Sequence, residues 1–217
     1  MTDFERARRH MVDGQVRTAG VTDLAVIEAM LSVPREAFVG DANRAIAYLD
    51  LQLSVTPQRR LMTPMTIGRL LQVAGIGAGR SVLIVGCATG YTAALAAQMG
   101  ADVVATESDP ALAGQARANL ARTGIAGTTI VEAQPLAGHP PRAPFDVILL
   151  DGATARELTP LYEQLRVDGD LVGVFALSVQ PQARKVTKSA EGIGYRPLFD
   201  ATAPVLPGLD RTPAFQF

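Results

Sequence analysis

From Ser81 onward, short apolar runs alternate with stretches in which apolar residues recur every three or four positions. SVLIVG, ADVVATE, TTIVEA, FDVILLDG and DLVGVFAL read as buried strands, and TAALAAQMG, PALAGQARANLARTG and ELTPLYEQL between them have helical spacing. This alternation predicts an α/β fold, a mostly parallel, doubly wound sheet with helices on both faces. The section from about Ala183, apolar around Val186 and Leu198, predicts an antiparallel hairpin at one edge. The first 65 residues read differently. Phe4, Met11 and Val16 punctuate a basic, loosely amphipathic segment, and Thr22 or Asp23 offers a cap for a helix over DLAVIEAMLSV that Pro34 closes. TPQRRLMTP, after AYLDLQLSV, is predicted to form no regular element. MTIGRLLQVAG has helical spacing through Ile67, Leu70, Leu71 and Ala74 and ends at Gly75. One domain over 1–217 is expected, with 1–65 as a helical N-terminal extension and 66–217 as the core. No internal repeat or low-complexity tract interrupts it.

Composition narrows the class. With 217 residues, 48% of them hydrophobic and 19% charged, the chain has enough apolar material for one full-sized core. Its 20 basic and 21 acidic residues leave a formal net charge of -1, so no overall attraction to nucleic acid or acidic lipid is expected. Cys87 is the single cysteine, and no cysteine and histidine spacing suits a metal. MTDFERARRHMVDGQV lacks the apolar stretch of a secretion signal, and no apolar run has the length of a membrane span. A cytoplasmic location, without a membrane partner, is the expectation.

The candidate chemistry lies in VLIVGCATGYTAALAA, residues 82–97. A turn of small residues between a buried strand and a helix lets a ligand approach the backbone, and the helix start presents unpaired N–H groups. Gly86, Cys87, Ala88, Thr89 and Gly90 fit the spacing GxGxG with alanine in the middle. Any tight strand-to-helix turn favours glycine, so the turn alone is a weak signal. Glu107, about 20 residues on at the end of the next strand, adds a carboxylate able to accept hydrogen bonds from both ribose hydroxyls. Ser108 beside it joins the cofactor set, while Ser108 or Asp109 also suits the start of the next helix. Cys87 is read as a small packing residue.

The sequence resembles the protein-L-isoaspartate O-methyltransferase family, within the class I S-adenosylmethionine-dependent methyltransferases. MVDGQVRTAGVTDLAVIEAMLSVPREAFV, with VPRE at Val33 to Glu36 and FV at Phe38 and Val39, is similar to its N-terminal section. AYLDLQLSV, PFDVILLDGA and LYEQLRVDGDLV match further family elements, and PVLPGLDRTPAFQF at the end looks like a divergent bacterial branch. The resemblance implies a Rossmann-like fold and S-adenosyl-L-methionine as methyl donor, with S-adenosyl-L-homocysteine as product. It also implies methyl esterification of the isoaspartyl carboxylate in damaged proteins, the ester then collapsing to a succinimide without the enzyme. Peptides or proteins containing isoaspartate are the implied partners. A carboxylate with a pKa near ~4 is already an ionised nucleophile at neutral pH. Alignment and exclusion of water then suffice. A chain whose histidines are His10 and His139, with no nucleophile motif, is therefore compatible with this chemistry.

The departures from the family pattern set the remaining expectations. Its substrate loop, close to GQTIS before a proline, supplies hydroxyls to the acceptor carboxylate. Here QRRLMTP puts Arg60 and Met62 at the threonine and serine positions, and Met62 has no hydrogen to donate. Thr63 offers a hydroxyl one position on. Arg59 and Arg60 offer a bidentate grip on a carboxylate, or else belong to a solvated loop. Ile84 replaces a family glutamate. Gln134, in AQP, replaces the aspartate of GDG and can accept from the adenine amino group. Asp151 replaces a threonine and either orients an acceptor or caps the next turn. The resemblance thus points to Arg59, Arg60 and Thr63 for the acceptor, and to Gly86, Cys87, Ala88, Gly90, Glu107, Ser108, Gln134 and Asp151 for the cofactor, without a metal. The other reading is a family member that keeps the cofactor site but regulates, or methylates a different acceptor. A nucleic-acid methyltransferase is a weaker reading, because LLDGA stands where an NPPY-type base-gripping motif belongs.

Overall fold

The computed structural model describes residues 2–211; the last part of PVLPGLDRTPAFQF, 212–217, lies outside the described residues. Helix α1 (Asp3–Met11) leads through a π turn and a 3-10 turn to α2 (Leu24–Ser32), which Asp23 caps by accepting from the N–H groups of Ala25 and Val26. Strands β1 (Leu53–Ser54) and β2 (Arg60–Leu61) then pair antiparallel, Leu53 with Leu61 and Ser54 with Arg60. The stretch expected to be irregular therefore contains a small hairpin, closed where the Val55 and Thr56 N–H groups both donate to the Arg59 carbonyl. Helix α3 (Pro64–Ala74) starts with proline at its first position, where no N–H is needed.

The core follows as β3 (Ser81–Val85), α4 (Tyr91–Gln98), β4 (Asp102–Glu107), α5 (Pro110–Thr123), β5 (Thr128–Glu132), β6 (Phe145–Thr154), α6 (Thr159–Tyr162), β7 (Leu165–Phe175), β8 (Gln182–Ser189) and β9 (Gly192–Asp200). Their sheet runs in the order β5-β4-β3-β6-β7-β8-β9. The first five strands are parallel, and the β8–β9 hairpin is antiparallel at the edge, as the sequence pattern predicts.

The two faces are covered unequally. Val82, Ile84, Val103, Val147 and Leu149 point into one hydrophobic cluster with residues of α1 to α5. Leu83, Val85, Ile148 and Leu150, one position out of phase, point into a second cluster with Leu158, Leu161, Leu206 and Leu209. That second layer is thin, because the helix expected over ELTPLYEQL is only one turn long. Gln164 leaves the helix to serve the neighbouring loop, donating to the Ala137 carbonyl at 3.0 Å and accepting from the His139 N–H at 2.8 Å. Leu165 is then drawn into the sheet opposite Phe145.

Candidate active site

Strand order reverses between β3 and β6. The chain leaves β3 toward β4 and later returns on the opposite side, so the loops at their carboxyl ends diverge and leave a crevice. The glycine turn forms one wall. A Cβ on Gly86, which has φ +73°, would lie 2.5 Å from the Leu206 side chain, so only glycine admits that close approach. Gly90, at φ +96°, lets α5 come near the start of α4, where a Cβ would meet that of Ala116 at 3.3 Å. Ala88 stands between them with φ +49°.

Glu107 organises the turn from the end of β4. It is 2% exposed. One carboxylate oxygen accepts from the Ala88 N–H at 2.7 Å, and the other accepts from the N–H groups of Ser108 at 2.8 Å and Asp109 at 3.2 Å. Asp109, not Ser108, caps α5. A cavity of about 340 Å³ opens alongside, lined among others by Arg59, Glu107, Ser108, Leu112, Gln134 and Gly208. That volume lies within the range of about 300–1,000 Å³ common for ligand sites. Glu107 and the exposed Gln134 both border the cavity, and each carries an oxygen able to accept a hydrogen bond.

Arg59 fills the ground between Gly86 and Asp151. Its side chain is 3% exposed. It donates to the carbonyls of Gly86 and of Asp151, the latter at 2.9 Å, and to that of Arg60 at 2.8 Å. Its Nε faces the Glu107 carboxylate at 3.8 Å and has no hydrogen-bond partner of its own. Arg60 is exposed. The two arginines therefore do not converge on one point as a bidentate grip requires. Thr63 is placed elsewhere again: its hydroxyl accepts from the Thr66 N–H at 3.2 Å, capping α3. It lines a separate cavity of about 440 Å³ beside Thr66, Arg69 and Phe199.

Asp151 does not cap the next turn, where the Arg156 N–H donates to the Thr154 hydroxyl instead. Its side chain runs inward, 1% exposed, and accepts from the Thr92 hydroxyl at 2.8 Å while its second oxygen has no partner. Burial pushes its carboxyl up to about 6, against the pull of Arg59 and of the Thr92 hydroxyl. Cys87 is fully buried, and burial, followed by the charges of Glu107 and Asp151, raises its thiol well above the ordinary range, which leaves it a packing group without a thiolate. Met62 is buried, and its carbonyl accepts from Arg35.

Arg35 is the residue the sequence reading underused, although it sits inside the quoted VPRE. It is 0% exposed. Its guanidinium donates to the carbonyls of Ala47 at 2.9 Å and Met62 at 2.8 Å, and lies 4.7 Å from the centre of the Tyr91 ring. The Thr89 hydroxyl donates to the Phe38 carbonyl at 2.6 Å. The N-terminal section thus braces the glycine turn from outside the core. Thr92 and Leu206 were missed as well, one lying in a helix and the other far along the chain.

A family model described as Protein-L-isoaspartate(D-aspartate) O-methyltransferase (PCMT) matches residues 6–195. A protein-L-isoaspartate O-methyltransferase of Gloeobacter violaceus is 35% identical over 184 residues, 84% of this chain and 90% of its own. The enzyme of that name from Methanoculleus marisnigri is 36% identical over 167 residues, 77% of this chain and 76% of its own. Among solved structures, one titled protein-L-isoaspartate O-methyltransferase superposes with a TM-score of 0.80 at 22% identity, covering 91% of this chain and 65% of that one. A Plasmodium falciparum protein assigned to the same methyltransferases, solved with S-adenosyl-L-homocysteine, also gives 0.80, at 18% identity over 95% of this chain and 99% of that one. These two structures bear on the fold alone.

Proposed function

Since the chain belongs to the protein-L-isoaspartate(D-aspartate) O-methyltransferase family, we propose that it methylates the carboxylate of isoaspartyl residues in damaged proteins, with S-adenosyl-L-methionine as donor. One observation carries this reading: the family match runs through the N-terminal section and the nucleoside-sized crevice together, over residues 6–195. When bound, the cofactor supplies a methyl group activated on a sulfonium.

The work left to the protein is binding, orientation and exclusion of water. In the proposed site Glu107 holds the ribose, with Ser108 beside it, and Gln134 accepts from the base. The turn formed by Gly86, Cys87, Ala88 and Gly90 lies along the cofactor, with Asp151 across from it. Arg60, exposed to solvent, is the acceptor-side cation, and Thr63, on the cavity shared with Arg69 and Phe199, is the acceptor-side hydroxyl. The acceptor is ionised at neutral pH, so no base is assigned. The reading extends to one domain over 1–217, with 1–65 as the helical extension and substrate loop and 66–217 as the Rossmann-like core. It also extends to a repair role in the cytoplasm. Among the described residues no helix is long and apolar enough to cross a membrane.

The test is methyl transfer from labelled S-adenosylmethionine to a synthetic isoaspartyl peptide, with the aspartyl peptide as control. Base-labile methyl ester on the isoaspartyl peptide alone is the expected outcome. No transfer, with a working family enzyme alongside, overturns the acceptor assignment.

A further inference from the structure

The groups that converge on Arg59 are all acceptors. The carbonyls of Gly86 and Asp151 take its hydrogen bonds, the Glu107 carboxylate faces it, and the unpartnered oxygen of Asp151 belongs to the same buried cluster. Such a set selects a positive group, because an unneutralised collection of buried acceptors is costly. Arg59 supplies that charge at a cost of its own, a buried Nε without a hydrogen bond.

The charges of S-adenosylmethionine lie at one end. Its sulfonium, α-ammonium and α-carboxylate are all on the amino-acid side, two positive charges against one negative, and its adenosine is neutral. The crevice is divided in the same way. The part beside Glu107, Ser108 and Gln134 is open, and Thr56, Gln58 and Arg59 of the hairpin border it. The part between Gly86 and Asp151 holds the Arg59 guanidinium, with Leu206 packed over Gly86. The segment that carries Arg59 is a short hairpin, held by the two residue pairs of β1 and β2, the turn that closes them, the buried side chains of Leu53 and Leu61, and Asn43, which donates to the Ser54 carbonyl at 2.7 Å; short hairpins are marginal on their own.

We propose that Arg59 is a resident cation in the place the cofactor's charged amino-acid end must take, so that the cofactor enters only as Arg59 withdraws and the β1–β2 hairpin shifts with it. This rests on the cofactor part of the reading above. Arg59 is then an internal competitor, and cofactor affinity is reduced by the fraction of molecules in which it is still seated.

The experiment is calorimetric titration of the full chain and of Arg59→Gln with two probes. S-adenosyl-L-homocysteine keeps the amino-acid end with its α-ammonium and α-carboxylate but not the sulfonium, and 5′-methylthioadenosine lacks that end altogether. Arg59→Gln is expected to bind the former about tenfold tighter or more, with methylthioadenosine affinity unchanged. Unchanged or weaker homocysteine-adduct binding overturns the proposal, as does an equal gain for both probes. Amide exchange on the unaltered protein gives an independent check, free of any folding defect in the variant. Val55, Thr56 and Arg59 should exchange faster with S-adenosyl-L-homocysteine and not with methylthioadenosine; slower or unchanged exchange overturns the proposal. Binding of S-adenosyl-L-homocysteine to neither protein sinks both the cofactor reading and this inference. A selective gain in Arg59→Gln without isoaspartyl methylation sinks only the acceptor assignment.

Discussion

Ala88 holds φ +49° between two glycines, a left-handed conformation that crowds an alanine Cβ. Ala88→Gly is expected to relieve that strain, offset in part by the greater freedom of glycine in the unfolded chain. A net gain of about 0.5–1 kcal/mol, a rise of roughly 2 °C in Tm, should appear in thermal denaturation. Asp151 gives a prediction in pH. Its folded carboxyl is lifted by burial to about 6 from an ordinary 3.8. Between these values the folded protein binds more protons than the unfolded chain, so the group favours folding at low pH and that contribution is lost as pH rises through about 6. Asp151→Asn keeps an oxygen for the Thr92 hydroxyl and removes the titration. Urea denaturation from pH 4 to 7 should show the variant gaining on the unaltered protein, by on the order of 1–3 kcal/mol at the upper end. A parallel pair of curves would place the titrating group elsewhere.

At the scale of elements, α3 shows how a candidate acceptor residue can also be a structural one. Thr63 accepts from the Thr66 N–H at the first turn, directly before Pro64. Losing such a cap costs about 1 kcal/mol, so Thr63→Ala should lower stability by that amount and Thr63→Ser should recover most of it. If Thr63→Ala instead keeps its stability and loses methyl transfer, the hydroxyl serves the acceptor. The β1–β2 hairpin makes the same point in reverse. Its turn and second strand fall in TPQRRLMTP, a stretch whose two prolines predict no regular element. Pairing of Leu53 with Leu61, both buried, gives it form.

For the molecule as a whole, Arg35 links the N-terminal section to the core. Its fork donates to two carbonyls from different segments, those of Ala47 and Met62, and lies over the Tyr91 ring of α4. Lysine keeps the charge but not the fork. Arg35→Lys should therefore leave at least one buried carbonyl unpaired and cost about 1.5–3 kcal/mol, a hydrogen bond to a charged group being of that order. A midpoint of denaturation within error of the unaltered protein would show that the section is held by its apolar contacts alone.

The local pattern determined the parallel core, its edge hairpin and the glycine turn with Glu107. Each is written in neighbouring residues: period-two or unbroken apolar runs for strands, period-3.6 runs for helices, and small residues where the backbone must turn. Resemblance added the family and its cofactor. The tertiary structure alone decided which side chains meet. Arg59 lies 27 residues from Gly86 and 92 from Asp151 along the chain, yet one nitrogen donates to both carbonyls. Leu206 reaches Gly86 from across more of the sequence still. Arg59 and Arg60 are adjacent in sequence, but one is buried in the crevice and the other is exposed to solvent. Sequence spacing constrains contacts within a turn or a rung, whereas the burial of a charge depends on what the rest of the fold brings against it.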